Sequence, residues 1–482
     1  MGSDWTSADY RDRIAIIDRI TVSLPVIEKR KISSSILIES QGVRHEFQLI
    51  FSYREDLQIT ENLAGLILTM PVINFTYFAK ELVLDFEVSE TDISQLNAFI
   101  NVNNREVFVN AICRRRYDFY KPEAIPKLYE ITEANANGIT RLIAKKVIPN
   151  AEGKKFSMNN GKAAVLSSGG KESLLTYSIL KEAKFDVHPI FFNESGAHWR
   201  AAKPAFDSFT QDNNNTTKVW SNADRFYRFC LGLLPFLNQG VIRKRTDTYP
   251  VQLFTFPVYI MSMVPVLISR GIPIAFMGNE FDDPKDMPPF HGIRHYHAIF
   301  DQTPDFTNMM SSYLLSKGFN LSISSLVYPV TATIVERILI RRYHDIFVLQ
   351  RSCHSCSSID GRIIPCGKCS KCMGIIMLIL GSDGDPGRIG YKKADIENAK
   401  ISSGKLRLDS DEIEYLYSVN KADSHVTGIH VLPFEEYPFS LLPKRIRQAV
   451  LPIFMQYTSG VYALDNGSWR KTQKYDSIMA RS

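Results

Sequence analysis

The chain has 482 residues, 45% hydrophobic and 22% charged, the balance of a globular protein with room for about two to four domains. Its formal charge of +6 is mild, and with no basic block or basic-aromatic stripe nucleic acid is not indicated as a partner. The N-terminal stretch mixes Asp9, Arg11, Asp12, Arg13, Asp18 and Arg19 with apolar residues, unlike a secretory signal, and predicts a cytoplasmic protein.

From Arg19 to about Asn110, runs such as "RITVSL", "SSSILIES", "HEFQLIFSY" and "KELVLDFEV" are rich in β-branched and aromatic residues with partial alternation. They predict an N-terminal β-containing domain over residues 1–155, closed by the polar linker "VIPNAEGKKFSMNNGK". Strand and helix patterns then alternate through residues 156–385, which predicts an α/β domain with a parallel sheet and helices on both faces. The uncharged run "VQLFTFPVYIMSMVPVLIS" carries Pro257 and Pro265 and is solitary, so it reads as a buried helix rather than a membrane span. Beyond the Gly/Asp-rich breaker "LGSDGDPGRIG", residues 386–482 form a mixed C-terminal region.

At the start of the alternating part stands "AAVLSSGGKESLLTYSILKE". Ala163–Leu166 suit a buried strand, and Leu174, Leu175, Tyr177, Ile179 and Leu180 suit a helix packed on a sheet. The polar residues between them fall in a strand-to-helix turn, where main-chain N–H groups point outward at the positive end of the helix and glycines admit a bulky anion. Phosphate is the natural guest. The spacing is neither that of a Walker A loop nor that of a dinucleotide fingerprint. Two later strand-like runs end in "NESGAHWR" and "GNEFDDPKD", and a parallel sheet would deliver both to the same rim.

Five of the seven cysteines sit in "RSCHSCSSIDGRIIPCGKCSKCMG". Pairs of thiols in this spacing predict a zinc site, and four thiolates would close the coordination sphere, making the zinc structural. Two sets compete: "CHSC" with "CSKC", which is Cys353, Cys356, Cys369 and Cys372, and the preferred "SC" with "CGKCSKC", which is Cys353, Cys366, Cys369 and Cys372 with Cys356 in reserve. An iron–sulfur cluster is the alternative, and His354 is a further nitrogen beside the first cysteine. Cys113 and Cys230 read as core residues.

Together these pieces resemble a family. Ser168, Gly169, Gly170, Lys171, Glu172 and Ser173 are similar to the Ser-Gly-Gly-x-Asp-Ser loop of the N-type ATP pyrophosphatases, the PP-loop superfamily. "RSC" followed by "CGKCSKC" resembles the zinc knuckle of the cyano-deazaguanine synthases, and Gly278, Asn279 and Asp282 resemble their rim segment. The long N-terminal domain is instead similar to the layout of the ATP-dependent epimerases that invert the glutamate of UDP-N-acetylmuramoyl-L-alanyl-L-glutamate. Glu172 departs from the pattern, since the family usually has Asp there.

The resemblance implies a doubly wound, Rossmann-like sheet, with ATP, Mg2+ and Zn2+ as cofactors. It implies α,β cleavage of ATP: a substrate carboxylate takes AMP, and pyrophosphate leaves from a cradle of Ser168, Gly169, Gly170, Lys171 and Ser173. Magnesium would be held by Glu172 or by Glu280 and Asp282, and Asn279 belongs to the same rim. Adenylation of a carboxylate removes its charge and so makes the neighbouring α-proton easier to abstract, which suits an epimerase. Attack of ammonia on the adenylate would suit nucleobase chemistry of the deazaguanine type, and a nucleotide-binding interaction module is the non-catalytic alternative. His291, His295 and His297 are available as acid or base, without an assigned role. The partner implied is a small-molecule or peptide carboxylate, with no membrane.

Overall fold

A computed structural model describes residues 9–114, 119–149, 156–242, 251, 254–281, 287–296, 299–418, 424–431 and 442–473. The chain folds into two compact units, each gathered from separate stretches. The first comprises Met1–Phe156, Val219–Arg270 and Pro284–Asn320; the second comprises Ser157–Lys218, Gly271–Asp283 and Leu321–Ser482. Residues 219–270 and 284–320, which the strand–helix alternation grouped with the central domain, thus pack with the N-terminal stretch.

The first unit is built on a mixed sheet. Lys31–Ser40 pairs antiparallel with both Val43–Tyr53 and Ile17–Val22, and Ala79–Ser89 runs parallel to both Ile17–Val22 and Arg141–Ile148. Alternation sets the register: Ile32, Ile36 and Ile38 are fully buried on one face of their strand. The helix Glu90–Glu106 begins with a reciprocal cap in which Ser89 Oγ accepts the Asp92 N–H and the Asp92 carboxylate accepts the Ser89 N–H. The uncharged run folds as the helix Phe256–Arg270, buried along most of its length. Among the described residues no helix is long and apolar enough to cross a membrane. Cys113 and Cys230 are buried, and burial pushes the Cys113 thiol up to about 12, as a core position requires.

The second unit carries four parallel strands in the order Ser322–Ser325, Ile274–Met277, Lys162–Ser167, Asp186–Asn193. The helix Lys171–Glu182 follows the third of these and Gly196–Asp212 follows the fourth. Leu174, Leu175, Ile179 and Leu180 share one buried core with Val165, Phe191, Ile338 and Leu339, which is where the apolar spacing of the sequence leads. Because every strand points the same way, the segments after Ser167, Asn193, Met277 and Ser325 all emerge at one edge of the sheet. Lys162–Ser167 lies between the strand that follows it in sequence and Ile274–Met277, so the winding reverses beside it. Such a reversal leaves a crevice at the carboxyl ends of the strands, where ligands of open α/β sheets bind. A small sheet of Ile429–Val431, Val461–Asp465 and Ser468–Thr472 belongs to the same unit.

Candidate anion site and metal centre

The turn after Lys162–Ser167 takes its shape from two glycines. Gly169 has φ +78°, and a Cβ there would stand 3.3 Å from both the Ala201 carbonyl oxygen and Ala202 Cα, so a side chain would be strained twice over. Gly170 has an ordinary extended backbone and is the N-cap of the helix Lys171–Glu182, with no side chain capping its first turn. The main-chain donors that a helix start leaves unpaired are therefore turned toward the crevice. The serines hold the turn: Ser168 Oγ accepts the Gly170 N–H at 3.3 Å, and Ser173 Oγ accepts the Ser168 N–H at 3.4 Å while donating to the Gly170 carbonyl at 3.0 Å.

Lys171 does not project into solvent. It is buried, and its Nζ meets Glu172 Oε1 at 2.5 Å and Glu280 Oε2 at 2.9 Å. Burial works against its charge, but the two carboxylates outweigh burial and hold the ammonium well above its usual range. Burial likewise opposes the charge on Glu172, and Lys171 overcomes it, lowering the carboxyl. Gly278 makes this packing possible, since a Cβ there would come within 2.8 Å of Glu172 Cβ. The rim residue Asn279 is buried, its Nδ2 donating to Tyr328 Oη at 3.2 Å and its carbonyl accepting from Ser325 Oγ at 2.6 Å. Asp282 lies outside the described residues, as does His297; His291 and His295 belong to the first unit.

A third buried carboxyl stands near this cluster and was not singled out from the sequence. Glu336, on the helix Ala332–Arg342, has no exposure, and its Oε2 accepts from Gln350 Nε2 at 3.0 Å. Burial pushes it up to about 8, opposed by the field of Lys171 and assisted by that of Glu172. The available signal was a lone acid on the apolar stripe formed by Val335, Ile338 and Leu339.

The cysteine cluster gathers by a comparable route. Cys369 is the N-cap of the helix Ser370–Gly381, its sulfur accepting the Cys372 N–H at 3.4 Å, which turns both thiols to the same side. A two-stranded hairpin, Ser357–Ile359 with Arg362–Ile364, returns the chain so that Cys366 N–H lies 3.5 Å from Cys353 Sγ. The sulfurs of Cys353, Cys366, Cys369 and Cys372 all lie within 4.8 Å of one another. Cys366 and Cys372 sulfurs are 3.7 Å apart, close to the roughly 3.8 Å edge of a tetrahedron with metal–sulfur bonds of about 2.3 Å. These four could hold a zinc ion. Cys356 stands outside the set, donating from its thiol to the Cys353 carbonyl at 2.8 Å. Contacts from Cys356, then Cys369 and Cys372, lower the Cys353 thiol, and contact with Cys353 raises Cys369 and Cys372 in turn. The ring of His354 packs on His198 at 4.1 Å, and burial pushes it down to about 3.

The two clusters are stitched together. Arg351 N–H, two residues before Cys353, donates to the Gly169 carbonyl at 2.8 Å, and Arg200 donates to the Cys356 carbonyl at 2.9 Å. Lys371, between the last two cysteines, contributes to lowering Glu172. The cysteine cluster therefore buttresses the glycine turn. No protein-family model matches this chain, and no curated protein matches it.

Proposed function

We propose that the chain is an ATP-dependent enzyme that adenylates a substrate carboxylate with release of pyrophosphate, in the manner of the PP-loop pyrophosphatases it resembles. The observation that carries this reading is the glycine turn at the start of Lys171–Glu182, with an uncapped helix end, two serines and a buried lysine between two carboxylates. The Gly169 N–H and the Ser168 hydroxyl would meet the charge that builds on departing pyrophosphate, while the Gly170 N–H and the Ser173 hydroxyl, both donating within the turn, hold its shape.

As found, the lysine and its two glutamates sum to a single negative charge, which repels a polyphosphate. Magnesium supplies the compensating charge, and Glu172 and Glu280, hard oxygen donors, are the residues that would hold it. Four thiolates would leave a zinc ion no open position, so the knuckle keeps the turn in place and takes no part in the chemistry.

The substrate reading that follows from the domain layout is the glutamate carboxylate of a UDP-muramyl-peptide-like molecule, with inversion at its α-carbon. The test is incubation with ATP, magnesium and candidate acids, measuring AMP and pyrophosphate. AMP formed with a muramyl peptide in heavy water, with deuterium and inverted configuration at the α-carbon, supports the full reading. AMP formed only with a deazapurine carboxylate and ammonia would replace the substrate, and no AMP with any acid would remove adenylation.

A further inference from the structure

The rim segment "NESGAHWR", at the end of the strand Asp186–Asn193, carries a carboxylate and an imidazole that neither the glycine turn nor the cysteine cluster uses. His198 Nδ1 lies 3.1 Å from Glu194 Oε1. Ser195 is the N-cap of the helix Gly196–Asp212, its Oγ accepting the His198 N–H at 3.3 Å, so the backbone under the imidazole is fixed by a side-chain cap. The side chain of Glu194 is 6% exposed and that of His198 39%, so the acid is anchored in the protein while the ring reaches solvent. A carboxylate accepts, which places the facing ring hydrogen on Nδ1 and leaves the lone pair of a neutral ring on Nε2. An acid held against Nδ1 in this way orients an imidazole and stabilises the imidazolium that forms when Nε2 takes a proton.

Helix geometry sets this pair beside the glycine turn. His198 lies one helical turn before Ala201 and Ala202, on the same face of the helix and nearer the carboxyl edge of the sheet. Ala201 and Ala202 are the residues against which Gly169 packs. A second line of contacts leads to the same place: His354 packs on the His198 ring at 4.1 Å, and Arg351, on the same stretch as His354, donates its N–H to the Gly169 carbonyl at 2.8 Å. The imidazole therefore stands at the lip of the anion seat, held from both sides.

We infer that His198, oriented by Glu194, is the general base that takes the α-proton of the adenylated substrate, so that the substrate class is a carboxylic acid with a hydrogen on its α-carbon. The assignment rests on the adenylation reading above. Adenylation turns the carboxylate into a neutral acyl group, and only then does the adjacent C–H become acidic enough for an imidazole. The Cα–H bond breaks, its proton passes to His198 Nε2, and the electron pair moves onto the acyl oxygen as an enolate. Solvent water returns a proton to the opposite face of the α-carbon, and the hydroxide left behind takes the proton from the imidazolium. A second water then hydrolyses the acyl-adenylate to the inverted acid and AMP. His198 is the catalytic residue of this step and Glu194 its positioning residue.

The test separates the two half-reactions in the full-length protein, with UDP-N-acetylmuramoyl-L-alanyl-L-glutamate, ATP and magnesium in heavy water. Isotope exchange between pyrophosphate and ATP reads adenylation, and deuterium at the α-carbon reads proton transfer. His198→Gln should lower deuterium incorporation by about 10²-fold to 10⁴-fold while pyrophosphate exchange stays within a few-fold of wild type. In His198→Ala, added imidazole should restore part of the incorporation. Glu194→Gln should lower the rate of incorporation by about 10-fold or more with KM for the peptide unchanged, a split that general loosening of the rim does not produce. Undiminished incorporation in His198→Gln, or parallel loss of both half-reactions, overturns the assignment and leaves adenylation standing. AMP formed by the wild type only from an acid that lacks an α-hydrogen does the same. Absence of pyrophosphate exchange with every acid removes adenylation itself, and this assignment with it.

Discussion

The glycine turn and the cysteine knuckle lie side by side and are joined through Arg351 and Gly169, yet they are built on opposite principles. The turn leaves donors unpaired: an uncapped helix start, with a lysine whose charge is over-compensated by two acids. The knuckle gathers four sulfurs that could hold a metal ion, and Cys369 is at once one of the four and the N-cap of its helix. A site meant to take and release an anion must hold its groups ready but unsatisfied, whereas a structural metal site gains by closing completely.

Replacement of a ligand sulfur is expected to have the largest effect, because metal affinity contributes directly to folding. Cys372→Ser should lose the metal and destabilise the second unit by several kcal/mol, of the order of a removed structural metal. Metal analysis and thermal unfolding check this; Cys356→Ser should keep the metal. A variant Cys356→Ser that loses it, with Cys353→Ser retaining it, would exchange the two residues.

The converse break is Gly170→Asp. Its φ of −79° suits any residue and an aspartate at an N-cap favours the helix by about 1 kcal/mol, a gain offset by displacing the Glu172 carboxylate, so stability should change little. The new carboxylate would nevertheless grow toward Glu172 Oε2, 2.7 Å from the added Cβ, and fill the anion seat with like charge. Pyrophosphate release should vanish while the melting temperature changes little. Ser173→Ala, which removes the hydroxyl that ties the Ser168 N–H to the Gly170 carbonyl, should lower release by about 10²-fold through misplacement of the turn. Unchanged release in both variants would detach the turn from nucleotide chemistry.

A smaller effect tests the charge balance. Glu336 is held up to about 8, above an ordinary glutamate, so the folded state favours its protonated form. That contribution to stability is complete below about pH 4, and declines as pH rises toward 8 by at most about 1.4 kcal/mol per pH unit. Glu336→Gln should flatten this part of the pH–stability curve. Asp301, raised by burial to about 7, remains in both proteins and cancels in the comparison. An identical slope in wild type and variant would count against a buried, neutral Glu336. Smallest of all, Glu172→Asp should leave pyrophosphate release within a few-fold of wild type or raise it, since it restores the residue of the resembling family.

Local pattern was enough for the strand–turn–helix at Lys162–Glu182 and for the cysteine spacing, because both depend on neighbours a few residues away. It did not reveal that Lys171 is neutralised by Glu280, which stands 109 positions along the chain. Glu336 escaped for the same reason: nothing beside it in sequence marks it as a polar group facing other elements. The sequence already preferred Cys353, with Cys356 in reserve, and the structure adds the hairpin that folds Cys366 back onto Cys353.

By itself the sequence determined the α/β alternation, the glycine turn at a helix start and the concentration of thiols, since periodicity, backbone freedom and soft-donor chemistry are local properties. Tertiary structure alone decided which stretches share a core, sending 219–270 and 284–320 to the first unit, and which charges meet across the crevice. Those outcomes depend on strand order, and strand order is fixed by packing free energy summed over distant segments rather than by any residue's own preference.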